Sequence, residues 1–209
     1  MTARRNACLI AMALFASLGP AAAASMAAET PAEKLRADMR KLWEDHVTWT
    51  RLYIVSVAAG LPDKDLTAGR LIQNQVDIGN AIKPFYGDAA GTKLTELLKE
   101  HILGAADLLA AAKAGDQPEI AKQKARWSRN GDDIAVFLAG ANPKNWPEAT
   151  MKAEMKMHLD LTLKEALNRF AGKYAEDIKD YDVVHEHILK LADALTNGIK
   201  AQFPDRFTS

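Results

Sequence analysis

The chain has 209 residues, enough for one ordinary domain or two very small ones. Its 27 basic and 27 acidic residues cancel, so no long-range field draws it to nucleic acid or to an anionic membrane. With 48% hydrophobic and 26% charged residues it is no disordered chain, and 12 glycines and 8 prolines exclude collagen-like and low-complexity sequences.

Residues 1–24 read as a secretory signal peptide. Arg4 and Arg5 precede an apolar run over 7–18, Gly19-Pro20 breaks it, and Ala22-Ala23-Ala24 offers a cleavage site before Ser25. The run is too short for a permanent membrane anchor. Cleavage would leave 25 basic and 27 acidic residues and would remove Cys8, the only cysteine. The expectation is a periplasmic or secreted domain over 25–209, without disulfide or thiolate and with no stable membrane anchor. Its core must then be large enough to hold without staples, and any metal must be held by nitrogen and oxygen.

The rest reads as helix after helix. Thr30-Pro31-Ala32-Glu33 is a capping box with proline at the first helical position, and apolar spacing follows over 35–59 until Gly60-Leu61-Pro62. A second helix is predicted over 65–83, stopped by Pro84, and a third over 89–113, closed by Gly115. Asp116-Gln117-Pro118-Glu119 caps a fourth reaching 139. Asn145-Trp146-Pro147-Glu148 caps a fifth ending near Gly172, and a sixth covers 174–201 before Pro204. No segment shows sustained strand alternation. Short loops make neighbours antiparallel, so the expected fold is an all-α antiparallel bundle of about six helices.

Two echoes predict an internal hairpin duplication. Asn74-Gln75-Val76-Asp77-Ile78 and Asn130-Gly131-Asp132-Asp133-Ile134 share the pattern N-x-x-D-I, and His101 and His158 follow the two aspartates at nearly the same spacing. Glu100-His101-Ile102-Leu103 recurs as Glu186-His187-Ile188-Leu189. The second and third helices would then match the fourth and fifth.

The polar residues on the apolar stripes are the candidates for function. His46, His101, His158 and His185 each have mainly apolar neighbours three and four residues away, while His187 is ambiguous between stripe and surface. Asn74 with Asp77, and Asn130 with Asp133, lie beside apolar residues as well. Buried polar groups need partners, so a convergent site is the economical arrangement. Two histidines and one aspartate per half suit a transition metal, Fe(II), Mn(II), Zn(II) or Cu(II). The predicted ligands are His46, Asp77 and His101 in one set and Asp133, His158 and His185 in the other. Asn74, Asn130, Asp182, Glu165 and His187 stand in support around them. The alternative from the same residues is a metal-free network of Asp, His and Asn that fixes helix register.

No E-x-x-H pair, C-x-x-C-H, G-x-S-x-G, P-loop or dinucleotide fingerprint is present. The stretches Leu42-Trp43-Glu44-Asp45-His46-Val47-Thr48-Trp49-Thr50-Arg51 and Gln73-Asn74-Gln75-Val76-Asp77-Ile78-Gly79-Asn80-Ala81-Ile82-Lys83-Pro84 resemble an uncharacterised family of small exported bacterial helical-bundle proteins. Tyr181-Asp182 to His185-Glu186 and Gln202-Phe203-Pro204 share the likeness. Some of that family carry a transferase label, which nothing in these residues supports; the resemblance implies a fold and no activity. Three functions are therefore expected from the residues. The first is an envelope protein binding a metal ion or small ligand for storage, sensing or redox protection. The second is a metal-free scaffold or stress chaperone, and the third an enzyme built on a two-His-one-carboxylate site.

Overall fold

The computed structural model describes residues 29–208. The expected signal segment and Cys8 lie outside the described residues. Five α-helices follow one another: α1 (Pro31–Ala59), α2 (Lys64–Ala114), α3 (Gln117–Ala141), α4 (Glu148–Phe170) and α5 (Tyr174–Gln202). A 3-10 turn, Pro204–Arg206, ends the fold. No strand occurs among the described residues, and no helix is long and apolar enough to cross a membrane.

The termini of these helices follow local chemistry. Thr30 Oγ1 accepts from the Glu33 backbone N–H at 3.2 Å, and Glu33 Oε2 accepts from the Thr30 N–H at 2.9 Å, which closes the capping box. Asp116 caps α3 by accepting from the Glu119 N–H at 3.1 Å. Gly60 and Gly115 end α1 and α2 in the left-handed region, where glycine carries no Cβ penalty. The cap expected before α4 differs: Asn145 donates its side-chain amide to Asn142 Oδ1, and no side chain caps Pro147.

Five helical elements stand where six were expected, because the predicted second and third are two arms of α2. Pro84 does not stop the helix. The break falls at Gly87, with φ 84° and ψ 168°, a conformation that favours glycine strongly. There the chain turns back. Gly79 and Gly91 would lie about 18 Å apart in a straight helix, at 1.5 Å per residue. Instead, a Cβ built on Gly79 would strike Thr95 Oγ1 and stand 2.5 Å from the Gly91 carbonyl oxygen. The arms 64–86 and 88–114 therefore touch backbone to backbone just before and after the turn.

Each element packs on the next in chain order, and α5 closes the ring on α1. The interior holds a main apolar cluster, including Met39, Ile78, Leu98, Leu108, Ile134, Val184, Ile188 and Ile199, and a smaller one of Ile54, Leu109 and Ala166. Arg36 and Arg40 of α1 both reach Asp193 of α5, at 2.9 and 2.8 Å, across the closing seam. These pairs are partly solvated, so they orient the seam more than they stabilise it.

The glycines give a direct test by urea denaturation. G87A should lower stability by about 1–3 kcal/mol through backbone strain. G79A should lower it at least as much, because its new methyl meets backbone. Gly69, helical and open on all sides, is the control: G69A should be neutral or stabilising by up to about 1 kcal/mol.

Candidate functional site

Every helix delivers polar side chains to one layer of this apolar interior. α1 brings His46, the first arm of α2 brings Asn74 and Gln75, and the second arm brings His101. Asn130 comes from α3, His158 from α4 and His187 from α5. All seven are buried, and His46, His101 and His158 are no more than 4% exposed. The rings of His46, His101 and His158 form a triangle with centroid separations of 6.4, 5.6 and 6.0 Å. His187 stacks on the far side of His158 at 6.1 Å and 18°. Trp43 sets its edge against His46, and Trp127 stacks on His101 at 5.3 Å.

The amides define the protons. Asn130 Nδ2 donates to the Leu97 carbonyl at 3.1 Å, which turns Oδ1 toward His101 Nδ1 at 3.0 Å. His101 Nδ1 must therefore carry the hydrogen, and Nε2 the free lone pair. Asn74 makes the equivalent main-chain bond in the preceding hairpin, donating to the Leu42 carbonyl at 2.9 Å. Gln75 Nε2 faces three acceptors: Leu71 O at 2.8 Å, Asn74 Oδ1 at 3.0 Å and His46 Nδ1 at 3.3 Å. An amide nitrogen has two hydrogens, so His46 receives the weakest share and its tautomer is the least fixed.

Burial keeps these rings neutral. It pushes His46 down to about 3, helped by the neighbouring His101, and His101 down to about 4 against the opposing bond to Asn130. His158, surrounded by three other imidazoles, is held well below the usual histidine range by burial first and those rings second. Burial lowers His187 too, with Glu154 pulling the other way. The layer is also under-satisfied. Gln75 Oε1, His158 Nδ1, His187 Nε2 and the indole N–H groups of Trp43 and Trp127 are buried with no hydrogen-bond partner among the described residues.

Three histidines of the predicted ligand sets thus meet, and three other members do not join them. Asp77 is a third exposed, takes a hydrogen bond from Gln73 Nε2 at 3.0 Å and faces Arg70. Asp133 is exposed. The physical reason is helical phase: at 100° per residue, the face centred on Gln75 and Ile78 turns Asp77 outward, and Trp127 and Ile134 do the same to Asp133. His185, expected to face the core, lies on the α1 side with Nε2 3.0 Å from Glu44 Oε1 and 32% of its side chain exposed. His187 takes the core position instead. Asp182 is exposed.

Glu165 is buried but belongs to a second cluster two turns away. Its Oε1 accepts from Arg51 at 2.8 Å, and Arg51 also grips the fully buried Asp177 with both guanidinium nitrogens. Arg169 approaches Asp177 at 3.4 Å. Burial pushes Glu165 up to about 7, against the pull of Arg51. Gln75, Arg51 and Asp177 were not among the predicted site residues. Asp177 had a readable signal, since 177, 180, 184, 187 and 191 form one stripe at helical spacing.

No family model, no curated protein and no solved structure matches the chain.

Two titrations check the electrostatics. The histidines stay neutral in the fold but accept protons near 6.5 when unfolded, so the unfolded chain gains protons as pH falls. Stability should therefore be full above about 6.5 and fall as pH drops toward 4 and 3, by roughly 1 kcal/mol per pH unit for each such ring. H101Q should reduce the proton uptake on acid unfolding by about one. Glu165 has the opposite sign: its raised value contributes stability below about 4.5 that is lost as pH rises through about 7, and E165Q should flatten that limb. Separately, N130A leaves His101 Nδ1 without its acceptor and removes the second bond to the Leu97 carbonyl, and should destabilise by about 1–3 kcal/mol in urea.

Proposed function

We propose that this bundle binds a transition-metal ion in its core through the neutral imidazoles of His46, His101 and His158, as an exported protein for metal storage, sensing or redox protection. The observation that carries the reading is the meeting of three buried, uncharged rings from three helical segments, with partners unmet around them. Metal ligation requires the deprotonated ring nitrogen, which burial supplies at neutral pH. Asn130 supports it by holding His101 with Nε2 free, as hydrogen-bond partners behind a ligating imidazole do.

Among the described residues, no three His, Asp or Glu side chains already stand as a closed ligand set. The distance from closure is small. Three imidazoles on one tetrahedral ion have ring centres roughly 5 Å apart, given metal–nitrogen bonds of about 2.0 Å. The observed 5.6–6.4 Å is about 1 Å wider. With Asp77 and Asp133 turned away, the donor set is nitrogen alone, which favours Zn(II) or copper over Mn(II) and Fe(II). The enzyme reading loses the carboxylate its two-His-one-carboxylate set required.

The finer architecture we read as three related hairpins. His46 and Gln75 are 29 residues apart, as are His101 and Asn130. The same step separates His158 from His187. The repeat unit would then be α1 with the first arm of α2, the second arm with α3, and α4 with α5. This regroups the predicted duplication by one helix.

A second reading is favoured by the amide bonds to Leu42 and Leu97 carbonyls. In it the layer is a metal-free device that locks neighbouring helices in register within a scaffold protein. Metal titration of the purified chain separates the two. On the metal reading, Zn(II) or copper binds one per chain, and at a hundredfold excess over Kd stabilises by about 2.7 kcal/mol. H101Q and H158Q should lose that shift, and H185Q should keep it. If neither ion, nor Fe(II), nor Mn(II) binds or moves wild-type melting, the network is structural and the metal reading falls.

A further inference from the structure

The metal reading leaves one buried histidine without a task, and its surroundings suggest one. His187 is 8% exposed, the most open of the four core rings. Its Nδ1 lies 3.7 Å from Glu154 Oε2, and the Glu154 side chain is 37% exposed. Among the described residues its Nε2 is buried without a partner, and so is Nδ1 of His158, the ring stacked beside it. Glu154 sits four residues before His158 on α4, so carboxylate and imidazole share one helix face. Lys190, the nearby cation on α5, is held by Glu186 at 2.7 Å.

We propose that Glu154 and His187 form an outer cation station, from which a divalent ion passes to His158 and the inner ring triangle. The proposal rests on the metal reading above. The chemistry runs from hydrated to dry. An ion arriving from water meets a carboxylate that offsets its charge and an imidazole that replaces one of its waters. The inner layer offers neutral nitrogens alone and has no means to attract a hydrated cation. His158 faces both, with His187 on one side and His46 and His101 on the other, at 5.6–6.1 Å. The step is ligand exchange: no proton count or oxidation state has to change, provided each ring presents its lone pair to the ion.

The test is a rate measured against an equilibrium, using the full chain in an H185Q background so that the surface histidine beside Glu44 does not contribute. Cu(II) is mixed with the metal-free protein by stopped flow, and quenching of tryptophan emission is followed, since Trp43 and Trp127 lie against His46 and His101. E154Q and H187Q should each slow uptake on the order of tenfold, the scale of a lost local charge or docking ligand. Both should still retain one ion per chain after gel filtration, with the same shift in Tm. Unchanged uptake rates in E154Q and H187Q would overturn the station while leaving the inner site standing. Loss of retained metal in H187Q would overturn it too, by making His187 a resident ligand. A parent protein that takes up no ion at all would bring down both readings. E154Q changes a partly solvated residue, so it keeps the test decisive if H187Q folds poorly.

Discussion

Asn130 divides one amide between two tasks. Its nitrogen holds the Leu97 carbonyl and its oxygen takes the His101 proton, so helix packing and ring protonation are settled by the same side chain. A helical carbonyl ordinarily has an intrahelical partner; accepting a second bond from a neighbouring helix fixes both the rotation and the height of α3 against α2. The remainder of the polar layer depends on that registration, because His158 meets His101 by position and His46 is held only by its long bond to Gln75. Aromatic neighbours complete the packing. The buried indoles of Trp43 and Trp127 pack directly against His46 and His101.

The bundle manages two kinds of buried polarity in different ways. Around the histidines every group is neutral, and desolvation acts by removing protons. Two turns along α4, around Glu165, ionisable groups are kept and matched: Arg51 serves two carboxylates, of which burial pushes Glu165 up to about 7, and Arg169 adds a further contact to Asp177. Such a buried ionic cluster is poor at adding net stability and strongly destabilising when one member is lost. Its value is placement. Arg51 on α1, Glu165 on α4 and Asp177 on α5 tie together the three helices that the ring needs to close.

Helix positions and most caps were legible because they depend on neighbours within four residues. Thr30 with Glu33, Asp116 with Glu119 and the glycine stops all act at that range. The reversal in α2 was legible only approximately. Pro84 carries the familiar stop signal, yet proline removes one hydrogen bond and the helix continues three residues further, to a glycine that alone tolerates the turn. Among the candidate site residues, the asparagines and three histidines were readable from their stripes, whereas the aspartates were not. Asn74 and Asp77 are adjacent on a helix surface, and sequence spacing does not say which of them lies inward. His185 and His187 pose a sharper version. The α5 stripe through Val184, Ile188, Leu191 and Leu195 leaves His185 about 90° and His187 about 70° from its centre, on opposite flanks, so phase leans only slightly toward His187. What decides between them is the neighbour: Glu44 waits on the α1 side and His158 on the α4 side. That is tertiary information.

The order of the polar layer along the chain has a consequence for biosynthesis. His46 and Gln75 are 29 residues apart, as are His101 and Asn130, so both members of each of these contacts are synthesised close together. The triangle of rings is another matter. His158 arrives only with α4, and the seam that holds α1 to α5 joins residues 157 positions apart. A chain still emerging from a ribosome holds His46 and His101 but not the third ring or the closing helix. The ring triangle and the seam around it are thus complete only once α5 has been made.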